Sequence, residues 1–117
     1  MESLSEKTCS ACRAGSPALS KAEVQAALAQ LPDWKVEVVA EVDQLLREYR
    51  FNNFVQAMAF TQAVGELAEE YGHHPALLTE WGRVKVSWWT HKIHGLHEND
   101  VIMAAKTEQL FHTRFAT

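Results

Sequence analysis

The stretch from Asn52 to Pro75 constrains this chain more than any other part of it. Phe54, Ala57, Met58, Val64, Leu67, Ala68 and Tyr71 recur at three- and four-residue steps, and Phe60 widens the stripe. That is the period of an amphipathic helix. Asn52 or Asn53 can cap its start, Gly72 suits the left-handed position just past its end, and Pro75 forbids its resumption. A helix over 53–71 is therefore predicted with both ends marked.

The flanks change period. Trp34, Val36 and Val38 alternate with Lys35 and Glu37, which predicts a half-buried strand. Asp43 and its neighbours allow a turn. Leu45, Tyr49 and Phe51 then alternate with Leu46, Glu48 and Arg50, a second strand and a hairpin. Arg47 is the misfit, a charge on the face of the aromatics. Beyond the long helix, Leu77 to Trp81 reads as a third strand, Gly82 as a tight turn and Arg83 to Thr90 as a fourth strand. On that strand Val84, Val86 and Trp88 share one face, while Lys85, Ser87, Trp89 and His91 share the other. Ser20-Lys21-Ala22-Glu23 is a capping box opening a helix over 21–31, with Val24, Ala27, Leu28 and Leu31 inward and Pro32 as its stop. After Gly95 a last helix is predicted over 98–112, with Val101, Ala104, Ala105, Leu110 and Phe111 as its stripe.

The order is α-β-β-α-β-β-α. It predicts an α+β fold: a four-stranded antiparallel sheet with three helices on one face. The other face, with Trp89 on it, is expected to be partly bare, as a surface for self-association or a ligand. Residues 1–19 show no period and read as a loosely ordered arm before a single domain over 20–117. The length, 117 residues, fits one domain, and 47% hydrophobic with 22% charged residues is ordinary globular composition. A net charge of -4 disfavours nucleic acid as a partner. No apolar run reaches a membrane span, and the start lacks an apolar signal core, so a cytoplasmic location is expected. Two cysteines are too few for a disulfide framework.

Five of the six histidines fall between positions 73 and 97. His73 and His74 follow the predicted end of the long helix, where the carbonyl end of the helix favours cations. His91 ends the fourth strand, and His94 and His97 precede the last helix. Imidazole gives and takes protons near neutral pH, and element ends are where a scaffold holds catalytic groups. Zinc ligation is the competing chemistry. Consecutive histidines diverge, however, and Cys9-Ser-Ala-Cys12 has no second ligand pair nearby, so no metal is expected.

The run Glu69-Glu70-Tyr71-Gly72-His73-His74-Pro75 resembles the pterin-4a-carbinolamine dehydratases. That family carries a glutamate or similar residue, three residues, then His-His-Pro, followed by an aromatic, a histidine and an aspartate. Here Trp81, His91 and Asp100 stand at those places, and Trp34 matches a tryptophan common after the first helix. The resemblance covers residues 20–112. The Cys9-x-x-Cys12 arm is similar to that of bacterial members linked to phenylalanine hydroxylation. Two positions depart from the pattern. Gly72 stands where an acidic residue is frequent, and His97 stands where a Ser or Thr usually caps the last helix, as a poorer cap.

The resemblance implies the fold argued above, assembled as a homodimer or homotetramer. It implies dehydration of 4a-hydroxytetrahydropterin to quinonoid dihydropterin, without metal or cofactor, in the service of a phenylalanine hydroxylase. It makes His73, His74 and His91 the catalytic histidines, with Glu69, Trp34, Trp81 and Asp100 around the pterin. The pattern does not require His94 or His97, so replacing either is expected to change little. The alternative it implies is a dimerisation cofactor of a transcription regulator on the same fold.

Overall fold

The computed structural model describes residues 19–90 and 95–115. Its elements run α1 (Lys21–Ala29), β1 (Lys35–Val39), β2 (Val42–Arg50), α2 (Phe54–Tyr71), β3 (Ala76–Glu80), β4 (Arg83–Trp88) and α3 (Glu98–Arg114). The strands form one antiparallel sheet in the order β1-β2-β4-β3, and the helices cover one face, as the sequence predicts. Apart from Leu19, the expected arm, with Cys9 and Cys12, lies outside the described residues.

The helix ends follow the sequence signals. Ser20 Oγ accepts from the Glu23 amide at 3.1 Å, and Glu23 Oε1 accepts from the Ser20 amide at 2.9 Å, a complete capping box. Asn53 Oδ1 accepts from the Gln56 amide at 2.8 Å and opens α2. Gly72, at φ 64°, closes it.

The first hairpin departs from expectation. Its turn is Ala40-Glu41, and Asp43 lies inside β2 opposite Val38. Both turn residues have positive φ, 50° and 69°, as a two-residue turn matched to strand twist requires. Neither is the Gly or Asn that normally marks such a turn, so the sequence carries no signal there. The second hairpin turns at Trp81-Gly82. Gly82 has φ 70°, and a Cβ on it would stand 3.0 Å from the Phe51 carbonyl oxygen, so glycine is needed on both counts.

The core lies between helices and sheet. Tyr49 packs on Phe60 and Phe111 with ring centroids 4.7 and 4.8 Å away, beside Val64, Val84, Val86, Trp88 and Met103. Each such side chain, taken out of water, stabilises the fold by roughly 1.5–3 kcal/mol. The opposite face is less bare than predicted. Leu46 and Ser87, paired across β2 and β4, are buried, Leu46 to 1% exposure. β4 ends at Trp88, so strand alternation stops before Trp89, which is half-buried and packed against the core.

Candidate active site

The end of α2 sets the first half of the site. The amides of Gly72 and His73 both donate to the Ala68 carbonyl, and the left-handed Gly72 turns the chain out of the helix. Consecutive side chains then point apart. His73 is turned inward and only 7% exposed. The His74 side chain is 60% exposed, and its Nε2 donates to the carboxylate of Glu69 on the last turn of α2. An open groove of about 490 Å³, lined by Gln62, Gly65, Glu66 and Glu69, runs along this helix.

The start of α3 supplies the second half. Asp100, in the first turn of α3, has no solvent exposure. Its Oδ1 accepts from His73 Nε2 at 2.6 Å, and its Oδ2 accepts from Thr90 Oγ1 at 2.8 Å and from the His97 amide at 2.9 Å. Three donors and the positive end of a helix dipole make a buried carboxylate tenable. With Nε2 committed to Asp100, Nδ1 is the His73 ring nitrogen outside that bond. One ring face of His73 lies parallel to Trp88 at the end of β4, with centroids 5.7 Å apart and planes within 8°.

His97 has a structural role beside this pair. It is buried, and its Nδ1 accepts from the Asn99 amide at 3.1 Å, so it is the working N-cap of α3. Its own amide closes the capping box on Asp100. Its side chain thus caps α3 while its backbone amide bonds Asp100, a structural role that the family pattern does not assign to it.

The remaining predicted residues scatter. His91 and His94 lie outside the described residues. The flanking Thr90 and Gly95 bridge each other, Thr90 N donating to the Gly95 carbonyl at 2.8 Å. Trp81 is 72% exposed in the β3–β4 turn. Trp34 is buried and donates its indole N–H to Glu108 Oε1 at 2.8 Å, within a second polar cluster. There Tyr49 donates to the same oxygen at 2.6 Å, as does Arg47, whose guanidinium lies 4.2 Å from the Tyr49 ring. Burial pushes the Glu108 carboxyl up, but the bonds from Tyr49, Arg47 and Trp34 outweigh it and hold it below the usual carboxylate range. Burial and the adjoining Glu108 raise the Tyr49 hydroxyl. Arg47, the misfit on the aromatic face, thus has its partner on α3.

Sequence reasoning missed Thr90 and Trp88 as parts of the site. The helix predicted over 98–112 already put Asp100 in its first turn, and the Asp three residues after His97 is the capping-box signal there. Among the described residues, no three His, Cys, Asp or Glu side chains cluster closely enough to hold a metal ion. No helix among them is long and apolar enough to cross a membrane.

Residues 17–110 match the family model described as pterin 4 alpha carbinolamine dehydratase. The chain is 54% identical over 110 residues to a protein of Syntrophotalea carbinolica named as a pterin-4-alpha-carbinolamine dehydratase, covering 94% of this chain and 98% of the relative. A Marinobacter nauticus protein of the same name is 53% identical over 111 residues, covering 95% of this chain and all of the relative. Among solved structures, the transcriptional coactivator/pterin dehydratase from Brucella melitensis superposes with a TM-score of 0.71 at 30% identity, over 80% of this chain and 98% of that one. A pterin dehydratase-like RuBisCO assembly factor of the alpha-carboxysome shares the fold, with a TM-score of 0.56 at 23% identity over 67% of this chain and 88% of that one.

Proposed function

This chain belongs to the pterin 4 alpha carbinolamine dehydratase family, and on that premise we propose that it dehydrates 4a-hydroxytetrahydropterin by histidine acid–base catalysis. The observation that carries the mechanism is the buried pair of His73 and Asp100, joined at 2.6 Å between the end of α2 and the start of α3. The substrate loses its 4a hydroxyl and the proton on the adjacent ring nitrogen. A protonated histidine gives its proton to the departing hydroxyl, which leaves as water. A neutral histidine takes the nitrogen proton, and quinonoid dihydropterin results. The two imidazoles exchange protonation states, and solvent restores them.

His73 is one member of this pair, working through Nδ1. His91, next in sequence to the Thr90 that bonds Asp100, is the other. His74, exposed beside Glu69, binds the pterin rather than moving protons. The enzyme would act in the cytoplasm as a homodimer or homotetramer, returning the pterin cofactor of an aromatic amino acid hydroxylase to use. The name of the Brucella melitensis relative favours a second reading, in which the same fold also binds a transcription regulator. The His73–Asp100 pair argues for the enzyme, since a binding module has no need of it.

The test is steady-state dehydration of each 4a stereoisomer. His73→Ala and His91→Ala should each slow it by roughly two orders of magnitude, one acid–base group each. The two variants should affect the stereoisomers unequally, because the hydroxyl projects toward one ring face in each. His74→Ala should raise KM more than it lowers kcat. Wild-type rates in folded His73→Ala and His91→Ala proteins would remove both from the mechanism.

A further inference from the structure

Trp88 is an odd choice for a core position. It is wholly buried on the central strand β4, opposite Leu45, and its indole N–H finds no acceptor among the described residues. A buried donor left unpaired costs about 1–3 kcal/mol, a cost that Phe or Leu would not incur. What the indole supplies in exchange is a flat face parallel to the His73 imidazole, within 8° and 5.7 Å between centroids. Asp100 fixes one edge of that imidazole through Nε2 but leaves the ring free to swing about the hydrogen bond. A parallel aromatic face removes that freedom. The same strand end also serves the carboxylate, since Thr90, two residues on, bonds Asp100 Oδ2.

We propose that Trp88 is a positioning residue for His73: its indole face sets the plane of the imidazole, while Asp100 sets its edge and tautomer. The proposal rests on His73 being an acid–base group of the dehydration. Trp88 is sealed from solvent, so it acts on His73 and not on the pterin. Local rules tend to be broken at functional sites, and misplacing a reacting group by an ångström can cost a hundredfold in rate.

Two substitutions separate the face from the bulk. Trp88→Phe keeps an aromatic face and removes the indole N–H, whereas Trp88→Met fills space with a flexible chain. Trp88→Met should lower kcat about tenfold, part of the hundredfold that misplacement can cost, with KM within twofold. Trp88→Phe should recover most of that loss. Trp88→Met combined with His73→Ala should be no slower than His73→Ala alone. Rates are referred to the folded fraction from circular dichroism. Full activity in folded Trp88→Met, an equal loss in Trp88→Phe, or additive losses in the double variant would each overturn the proposal.

A readout independent of catalysis covers a variant that does not fold and a wild type that does not dehydrate. In the nitrogen-15 spectrum of the wild-type chain, the His73 Nε2–H should be visible through slow exchange, and the His73 ring protons should be shifted upfield by the indole. An inactive wild type with this signature would end the dehydratase reading and leave the positioning intact. An active wild type whose His73 protons lack the indole shift would leave the dehydratase and end the role of Trp88.

Discussion

Asp100 and Glu108 are carboxylates of the same helix, and both accept several hydrogen bonds, but their donors differ in kind. Asp100 is bonded by an imidazole, a hydroxyl and a backbone amide, with no side chain of permanent charge among them. Glu108 is bonded by an indole, a phenol and the guanidinium of Arg47, with Asp33 3.7 Å from that guanidinium and His112 3.1 Å from the second Glu108 oxygen. A guanidinium never gives up its proton at biological pH, so Arg47 keeps its charge against Glu108 and ties α3 to β2, while the His112 imidazole lies on the exposed rim of that cluster. The imidazole at Asp100 is buried instead, and on the function proposed above it is the one that exchanges a proton. On that reading, a permanent charge held against the carboxylate marks a fastening, and a buried imidazole marks the reaction site.

Four measurements can break this contrast. The largest effect is expected for Asp100→Asn. It should lower kcat by about two orders of magnitude, as if His73 itself were lost. A rate within threefold of wild type in a folded protein would detach Asp100 from the chemistry. Next comes Glu108→Gln, which weakens the bonds holding Arg47 and Tyr49. It should cost about 2 kcal/mol in denaturant unfolding and leave kcat within twofold of wild type. A parallel fall in kcat would merge the two clusters into one.

The third is a pH series. The folded-state value of Glu108 is depressed, so its contribution to stability is fully present above the unfolded value, near pH 4.3, and is lost as pH falls through the lower folded value. The stability gap between wild type and Glu108→Gln should therefore narrow from pH 6 toward pH 3. A gap that stays constant would mean that the carboxyl is not held low. The smallest effect concerns the cap. His97→Ala should cost about 1 kcal/mol, and His97→Ser should be near neutral, because Ser is among the best N-caps. Equal thermal stability of all three proteins would deny His97 its capping role.

Much of the fold was legible because its signals are local. Asn53, Gly72 and Ser20 each act within a few residues of their own position. The Ala40-Glu41 turn was not legible, because its left-handed backbone is carried by residues that do not advertise it. The site was half legible. Motif spacing picked out His73 and Asp100 separately, but their bond joins residues far apart in the chain. Arg47 was visible as a charge on the wrong face, while its partner Glu108 lies on another element. Trp34 was assigned to the pterin by pattern, and the structure gives its N–H to Glu108. Trp88 was read correctly as an inward residue, yet inwardness does not reveal what a ring will lie against.

The strand order β1-β2-β4-β3 carries a kinetic consequence. Each hairpin joins neighbours in the chain and closes a short loop, so each can form early. The central joint, β2 against β4, has to bring Leu45 to Trp88 across the whole of α2. Its closure entropy is larger, so it should be the late and rate-limiting contact in folding. Trp88 and Thr90 lie at the end of that joint where Leu45 pairs, and the partner strand of the second hairpin reaches only Ala76 there. A chain with both hairpins and α2 formed but the joint open would have no fixed place for His73 or Asp100. Dehydratase activity should then return during refolding with the last kinetic phase, after helical circular dichroism has recovered.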